Sequence, residues 1–224
     1  MPIPFRIKVC GLTSREQMVS VVEAGADALG LNYYEKSKRF VGEWKLPPLG
    51  ELEDIGQQAI TLVGLFVNHP VEVVNYTAAR VGLRWVQLHG DEPPEYLPLL
   101  DPSLKIMRAY RTDNWERVLA DLDACRSCGR NPDAILLDAN VLGHYGGTGE
   151  TADWQAFADR DREQQLPPLI LAGGLTPENV AEAIRVVQPD GVDVASGVES
   201  TPGIKDIERV KQFVSAAKSA LHPA

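Results

Sequence analysis

The stretch Leu169-Ile-Leu-Ala-Gly-Gly-Leu-Thr-Pro-Glu-Asn-Val-Ala-Glu-Ala-Ile-Arg-Val-Val-Gln-Pro-Asp-Gly-Val-Asp-Val-Ala-Ser-Gly197 decides the fold. It opens on a short apolar run, Leu169–Ala172, that suits a buried strand. Two glycines follow. Thr176, Pro177 and Glu178 then give the cap, proline and acidic residue that start a helix. A second strand, Gly191–Ala195, ends on Ser196 and Gly197. A strand, a helix and a strand in succession imply parallel strands joined by a crossover helix.

Working outward, the same unit recurs. Further strands are expected at Arg6–Cys10, Ala28–Tyr33, Thr61–Val67, Trp85–His89, Lys105–Tyr110 and Ala134–Ala139. Amphipathic segments long enough for a helix lie between them. Ser14 and Gln17 have capping-box spacing at the head of Ser14–Gly25. Pro70–Gly82 starts on proline and stops at glycine. The last helix is expected at Asp206–His222, and Gly42–Gly56 should hold a loop before a short helix.

Eight such units in 224 residues average about 28 residues each, close to a minimal βα unit. An open doubly wound sheet alternates in the same way. Eight regular units with no switch point favour closure. The expected class is α/β: a single (β/α)8 TIM barrel, with a parallel eight-stranded barrel inside a ring of helices, and one domain over residues 1–224. Chemistry then belongs at the C-terminal ends of the strands.

The formal net charge of −9 argues against nucleic acid, whose phosphates need a basic surface. No run approaches the ~18 apolar residues of a membrane span, and the N-terminus does not read as a signal peptide. Cys10, Cys125 and Cys128 make no disulfide framework, so a reduced, cytoplasmic setting is expected. Cys125 and Cys128 read as a neutral surface pair at a helix end. A monomer is the default.

Several residues stand where a barrel does its chemistry. Cys10 ends the first strand; it is a base or nucleophile if its pKa is lowered, or a small buried hydrophobe. Asp138 ends the sixth strand after four apolar residues. Desolvation would favour its protonated form as a general acid; the alternative is a structural carboxylate bonding loop amides. Gln87 and His89 share a face at the end of the fourth strand. His89 could be an acid, a base or a satisfied rim histidine. No second histidine has metal-ligand spacing, so no metal or other cofactor is expected.

Three glycine-rich turns follow the last three strands: Gly146–Gly149, Gly173–Gly174 and Ser196–Gly197. Glycine lets backbone N–H groups approach a phosphate, and barrels often bind phosphate beyond strands seven and eight. The expected partner is therefore a small phosphorylated substrate. Lys36, Lys38 and Arg39 cluster after strand two, either as an anion site or as a solvated loop.

Taken in order, these segments resemble the phosphoribosylanthranilate isomerase family. The resemblance is carried by Lys8-Val-Cys-Gly-Leu-Thr13, Gly25–Ala28, Lys36–Val41, Gly64–Asn68, Val86-Gln-Leu-His-Gly90 and Leu136-Leu-Asp138. Gly146–Gly149, Ala172–Val180, Val192–Glu199 and Pro202–Asp206 complete the set, which spans nearly the whole chain. The resemblance implies an Amadori rearrangement of N-(5-phosphoribosyl)anthranilate to 1-(2-carboxyphenylamino)-1-deoxyribulose 5-phosphate, a step of tryptophan biosynthesis. It assigns Asp138 as general acid and Cys10 as general base. It puts Arg39 near the anthranilate carboxylate and Asp193 near the ribose, with Gln87 and His89 also facing substrate. Gly147, Gly174, Ser196 and Gly197 fall in the expected phosphate loops.

This sequence departs from the family pattern at Asn32, Tyr33, Tyr34, Glu35 and Lys38, close to Arg39. A related isomerase of histidine biosynthesis runs the same chemistry with two aspartates, and Cys10 argues against it. A barrel that only binds a phosphorylated metabolite would be expected to have lost the acid or the base, and both are present.

Overall fold

The computed structural model describes residues 3–42, 60–111, 114–138, 154, 157 and 166–221. Its centre is a closed barrel of eight strands in sequence order. The strands are β1 (Ile7–Cys10), β2 (Ala28–Asn32), β3 (Thr61–Phe66), β4 (Trp85–Leu88), β5 (Lys105–Tyr110), β6 (Ala134–Asp138), β7 (Leu169–Ala172) and β8 (Gly191–Val194). Every neighbouring pair is parallel, and β1 closes the ring by pairing with both β2 and β8. Each expected strand is present, with ends within one residue.

A barrel strand alternates inward and outward side chains. The inward set gathers Phe5, Ala28, Val63, Trp85, Met107, Leu136, Ile170 and Ala172 into one core. Phe5 meets Trp85 edge to face at 5.5 Å. The same alternation puts Lys8 and Cys10 inward on β1 and Asp138 inward above Leu136 on β6. The β1–β8 register sets Lys8 directly beside Asp193.

The outward set packs against the helices α1 (Arg15–Glu23), α2 (Val71–Val81), α3 (Trp115–Ser127), α4 (Val180–Val187) and α5 (Ile207–Leu221). Ser14 caps α1 by accepting from the Gln17 amide. The Gln17 side chain does not close the capping box. It donates instead to Thr13 Oγ1 and Gly203 O, and its Oε1 accepts from the Lys205 amide. Gly82, at φ 73°, stops α2 in the left-handed region, which glycine enters without strain. Asn179 Oδ1 accepts from the Thr176 amide and Thr176 Oγ1 from the Glu178 amide, and α4 begins only at Val180.

Three expectations need correction. The β4–β5 connection is not an α-helix but one 3-10 segment, Pro94–Leu99. Pro98 lacks the N–H an α-helix would need there, and Pro93 and Pro94 restrict what precedes it. Between β8 and α5 the chain forms a small antiparallel hairpin, β9 (Glu199–Thr201) and β10 (Ile204–Lys205), turned at Gly203 with φ 88°. Most of Gly42–Gly56, and the Gly146–Gly149 turn, lie outside the described residues. Cys125 and Cys128 are not a surface pair either. Cys125 is fully buried under α3, with its thiol 3.7 Å from Asp121; Cys128 is half-buried.

Candidate active site

The strand ends converge on a cavity of about 210 Å³ at the C-terminal mouth of the barrel. Nine of the ten expected site residues line it: Cys10, Arg39, Gln87, His89, Asp138, Gly174, Asp193, Ser196 and Gly197. The tenth, Gly147, lies outside the described residues. Lys36 and Lys38 are exposed and do not line the cavity, so only Arg39 of the basic cluster faces the site. Two larger hollows, of about 480 and 610 Å³, lie at the opposite end of the barrel and on its outer flank beside Arg108. The first lies away from the C-terminal mouth, where this fold does its chemistry; the second is confined to the ends of β4 and β5, the flanking loops and α3, and none of the ten expected site residues lines it.

Cys10 has its place because Gly30 lies opposite it on β2. A Cβ at Gly30 would stand 2.6 Å from the Cys10 sulfur and 2.8 Å from its Cα. Beneath Cys10, the fully buried Lys8 donates to Asp193 Oδ2 at 2.9 Å. Burial opposes charge on Lys8, but Asp193 and Cys10 outweigh it and hold the ammonium above the usual lysine range. Burial pushes the Cys10 thiol up; Lys8 and Lys205 pull it back without prevailing. The lowered pKa on which a base or nucleophile reading is conditional is therefore not what these surroundings give the thiol. Desolvation wins because the neighbouring cations are already partnered by carboxylates.

On the facing side, Gln87 Nε2 lies 2.7 Å from His89 Nδ1, and His89 Nε2 lies 3.4 Å from Asp138 Oδ2. With Gln87 donating, Nδ1 accepts and the ring proton sits on Nε2, toward Asp138. The histidine thus orients the carboxyl group. Gln87 Oε1 and Asp193 Oδ1 are buried with no hydrogen-bond partner among the described residues. Buried acceptors of this kind demand donors, and both residues line the cavity.

Arg39 reaches the mouth over Gly11 and is gripped by Glu199 through two bonds of 2.7 Å. Glu199 also accepts from Lys205 Nζ at 2.8 Å, and Lys205 in turn donates to Ala195 O at 3.0 Å. Burial works against Glu199, yet the bonds from Arg39 and Lys205 hold it below the usual carboxylate range. Those bonds use two guanidinium N–H groups and leave three for a ligand. Two cations share one carboxylate, so the cluster keeps a net positive charge.

The turns after β7 and β8 fit together without side chains. Gly173 and Gly174 have φ of 86° and 65°. A Cβ on Gly197 would collide with the Leu175 carbonyl. The two turns thus pack backbone against backbone, and Gly173, Gly174, Ser196 and Gly197 all line the cavity.

Sequence reasoning gave no role to Lys8, Glu199 or Lys205. Lys8 carried a signal: a lysine inside an apolar strand, in register with Asp193. Glu199 and Lys205 depend on the hairpin, which has no local signature. Among the described residues, no group of three or more His, Cys, Asp or Glu is placed to hold a metal ion, and no helix is long and apolar enough to cross a membrane.

Fold and site together define a class: a (β/α)8 barrel with a thiol, a carboxyl group and an imidazole at strand ends facing one mouth. The sequence profile of N-(5'-phosphoribosyl)anthranilate (PRA) isomerase matches residues 7–216. The N-(5'-phosphoribosyl)anthranilate isomerase of Geobacter metallireducens is 42% identical, over 96% of this chain and 99% of its own. The crystal structure of phosphoribosyl anthranilate isomerase from Thermotoga maritima superposes with a TM-score of 0.81 at 36% identity, covering 96% of this chain and 99% of that one. A phosphoribosyl anthranilate isomerase crystallised with reduced 1-(o-carboxyphenylamino)-1-deoxyribulose 5-phosphate superposes with a TM-score of 0.72, at 36% identity and the same coverage. The chain belongs to the N-(5'-phosphoribosyl)anthranilate isomerase family.

Proposed function

We propose that this protein converts N-(5-phosphoribosyl)anthranilate to 1-(2-carboxyphenylamino)-1-deoxyribulose 5-phosphate, with Asp138 as general acid and Cys10 as general base. One observation carries the role assignment. Cys10 on β1 and Asp138 on β6 open into the same cavity, which Arg39 and the β7 and β8 turns also line. It is an aldose–ketose isomerase of tryptophan biosynthesis, as its family membership indicates.

Asp138 gives its proton to the ribose ring oxygen, and the C1–O bond breaks to leave a protonated Schiff base. Cys10 then removes the C2 proton. The electron pair moves into the C1–C2 bond and neutralises the iminium, giving an enolamine. The enol proton leaves the C2 hydroxyl and C1 is protonated, which forms the ketone. The cationic Schiff base resolves the thiol problem. A positive charge arising beside Cys10 favours loss of the thiol proton to solvent, which leaves the thiolate that takes the C2 proton. Two buried acceptors, Gln87 Oε1 and Asp193 Oδ1, suit the hydroxyl and amine donors of the substrate.

The ligand held by the crystallised relative carries a phosphate and a carboxylate. On this chain we assign the carboxylate to the free N–H groups of Arg39. The phosphate goes to the backbone of Gly174, Ser196 and Gly197, with Gly147 in the same role. Anchoring both ends orients C2 between base and acid. The same reading takes residues 1–224 as one domain working in the cytoplasm, and the unpaired cysteines suit that compartment.

Cys10→Ala and Asp138→Asn are each expected to lower kcat by at least about a hundredfold, the usual scale for losing an acid or base. Steady-state turnover of freshly prepared phosphoribosylanthranilate, with folding checked by circular dichroism, measures this. Near-normal turnover in either variant removes that residue from its role.

A further inference from the structure

We propose that Lys8 is a positioning residue that keeps an ammonium against the Cys10 sulfur and so supports its thiolate during proton abstraction. The inference deepens the acid–base reading above and rests on Cys10 being the base.

Lys8 and Cys10 are two residues apart on β1, so their side chains leave the strand on the same, inward side. Lys8 is fully buried, where an isolated ammonium would shed its proton. Asp193, its partner in the β1–β8 register, prevents that with a bond of 2.9 Å. Asp193 has only one oxygen on Lys8; the other has no partner among the described residues. The ammonium is thus held from β8 on the inward face that β1 shares with the thiol, and its charge favours proton loss from Cys10. A lysine needed only for packing would be better replaced by an apolar side chain, because burying a charged pair gives little net stability.

Other charges face Cys10 as well. Asp193 on β8 opposes the thiolate, and Lys205 on β10 favours it. Arg39, after β2, acts on it more weakly. Lys205 and Arg39 both spend hydrogen bonds on Glu199. Lys8 is two residues from Cys10 on the same strand face and, among the described residues, is bonded to Asp193 alone, and of these cations it acts most strongly on the thiol.

The test reads Cys10 itself, without substrate. Alkylation by iodoacetamide is followed against pH, with Cys10 resolved from Cys125 and Cys128 by peptide mass spectrometry. In Lys8→Met the inflection should move to higher pH by at least about one unit, which is tenfold less thiolate at a given pH. kcat should fall by at least about tenfold, with KM changed less than about threefold. Because Lys8→Met strands a buried Asp193, the double variant Lys8→Met/Asp193→Asn removes both charges and guards against misfolding. Its inflection should fall between wild type and Lys8→Met, because the lost carboxylate partly compensates. Superimposable alkylation profiles in folded wild type and Lys8→Met would overturn the proposal, as would coincident profiles of Lys8→Met/Asp193→Asn and an Asp193→Asn single variant. So would an inflection that moves down in Lys8→Met. A fully active Cys10→Ala variant, found together with a shifted Cys10 alkylation profile in Lys8→Met, would instead strike the base assignment and leave the Lys8 charge effect standing.

Discussion

At the scale of single residues, the site is shaped as much by what is missing as by what is present. Gly30 has no side chain, and Cys10 occupies the room. A methyl group there would lie 2.6 Å from the sulfur. Gly30→Ala is therefore expected to displace the thiol and lower kcat by about tenfold or more, while the barrel still folds; a misplacement near 1 Å has effects of this order. Unchanged kcat in a folded Gly30→Ala protein would mean that the thiol position is not critical. Arg39→Ala should act differently. If Arg39 clamps the substrate carboxylate, KM should rise by about tenfold or more, in line with the loss of a charge-assisted bond. An unchanged KM would remove the clamp. Cys10, Asp138 and Arg39 were legible in the sequence because each ends a strand or follows one. The state of Cys10 was not legible: whether a thiol is raised or lowered depends on burial and on which nearby cations already have partners.

At the scale of elements, the β9–β10 hairpin matters most for the site, and it was the least legible. Glu199 and Lys205 have no periodic pattern around them; they acquire meaning only when Gly203 turns the chain back. Glu199 is nearly inaccessible and bonds both Arg39 and Lys205. Its folded-state pKa is depressed, below an unfolded value of about 4.3. Its stabilisation is thus complete above that value and is lost as pH falls through the lower, folded one. Glu199→Gln should cost about 1–3 kcal/mol of unfolding free energy near neutral pH. Urea titrations at several pH values should show a difference that is constant down to about pH 5 and shrinks below about pH 4. A difference independent of pH would mean that the ion pairs contribute nothing. On the other flank, α3 buries Cys125 and half-exposes Cys128. Cys125→Ser should cost about 1–2 kcal/mol by burying a hydroxyl, and Cys128→Ser almost nothing. Neither should change kcat, since neither lines the cavity. The 3-10 segment between β4 and β5 was misread for a simpler reason. Apolar spacing suggested a helix, but three prolines decided its geometry.

At the scale of the whole molecule, closure of the ring joins distant parts of the chain. Lys8 meets Asp193 and Arg39 meets Glu199, pairs that only a closed barrel brings into contact. Alternation along β1, β4, β6 and β8 then aims Cys10, Gln87, Asp138 and Asp193 at one point. That much could be read in advance, because eight strand–helix repeats allow few topologies and the fold fixes which strand ends face the mouth. The polar network beneath the mouth could not, because it depends on register rather than on local pattern. The central claim is that this mouth carries out one isomerisation. The most direct test is to mix purified protein with freshly prepared N-(5-phosphoribosyl)anthranilate and follow the loss of substrate fluorescence, identifying the product by chromatography. The account predicts rapid conversion to 1-(2-carboxyphenylamino)-1-deoxyribulose 5-phosphate with no added metal or cofactor, and none above background with Cys10→Ala. A folded wild-type protein that leaves the substrate unchanged would contradict it.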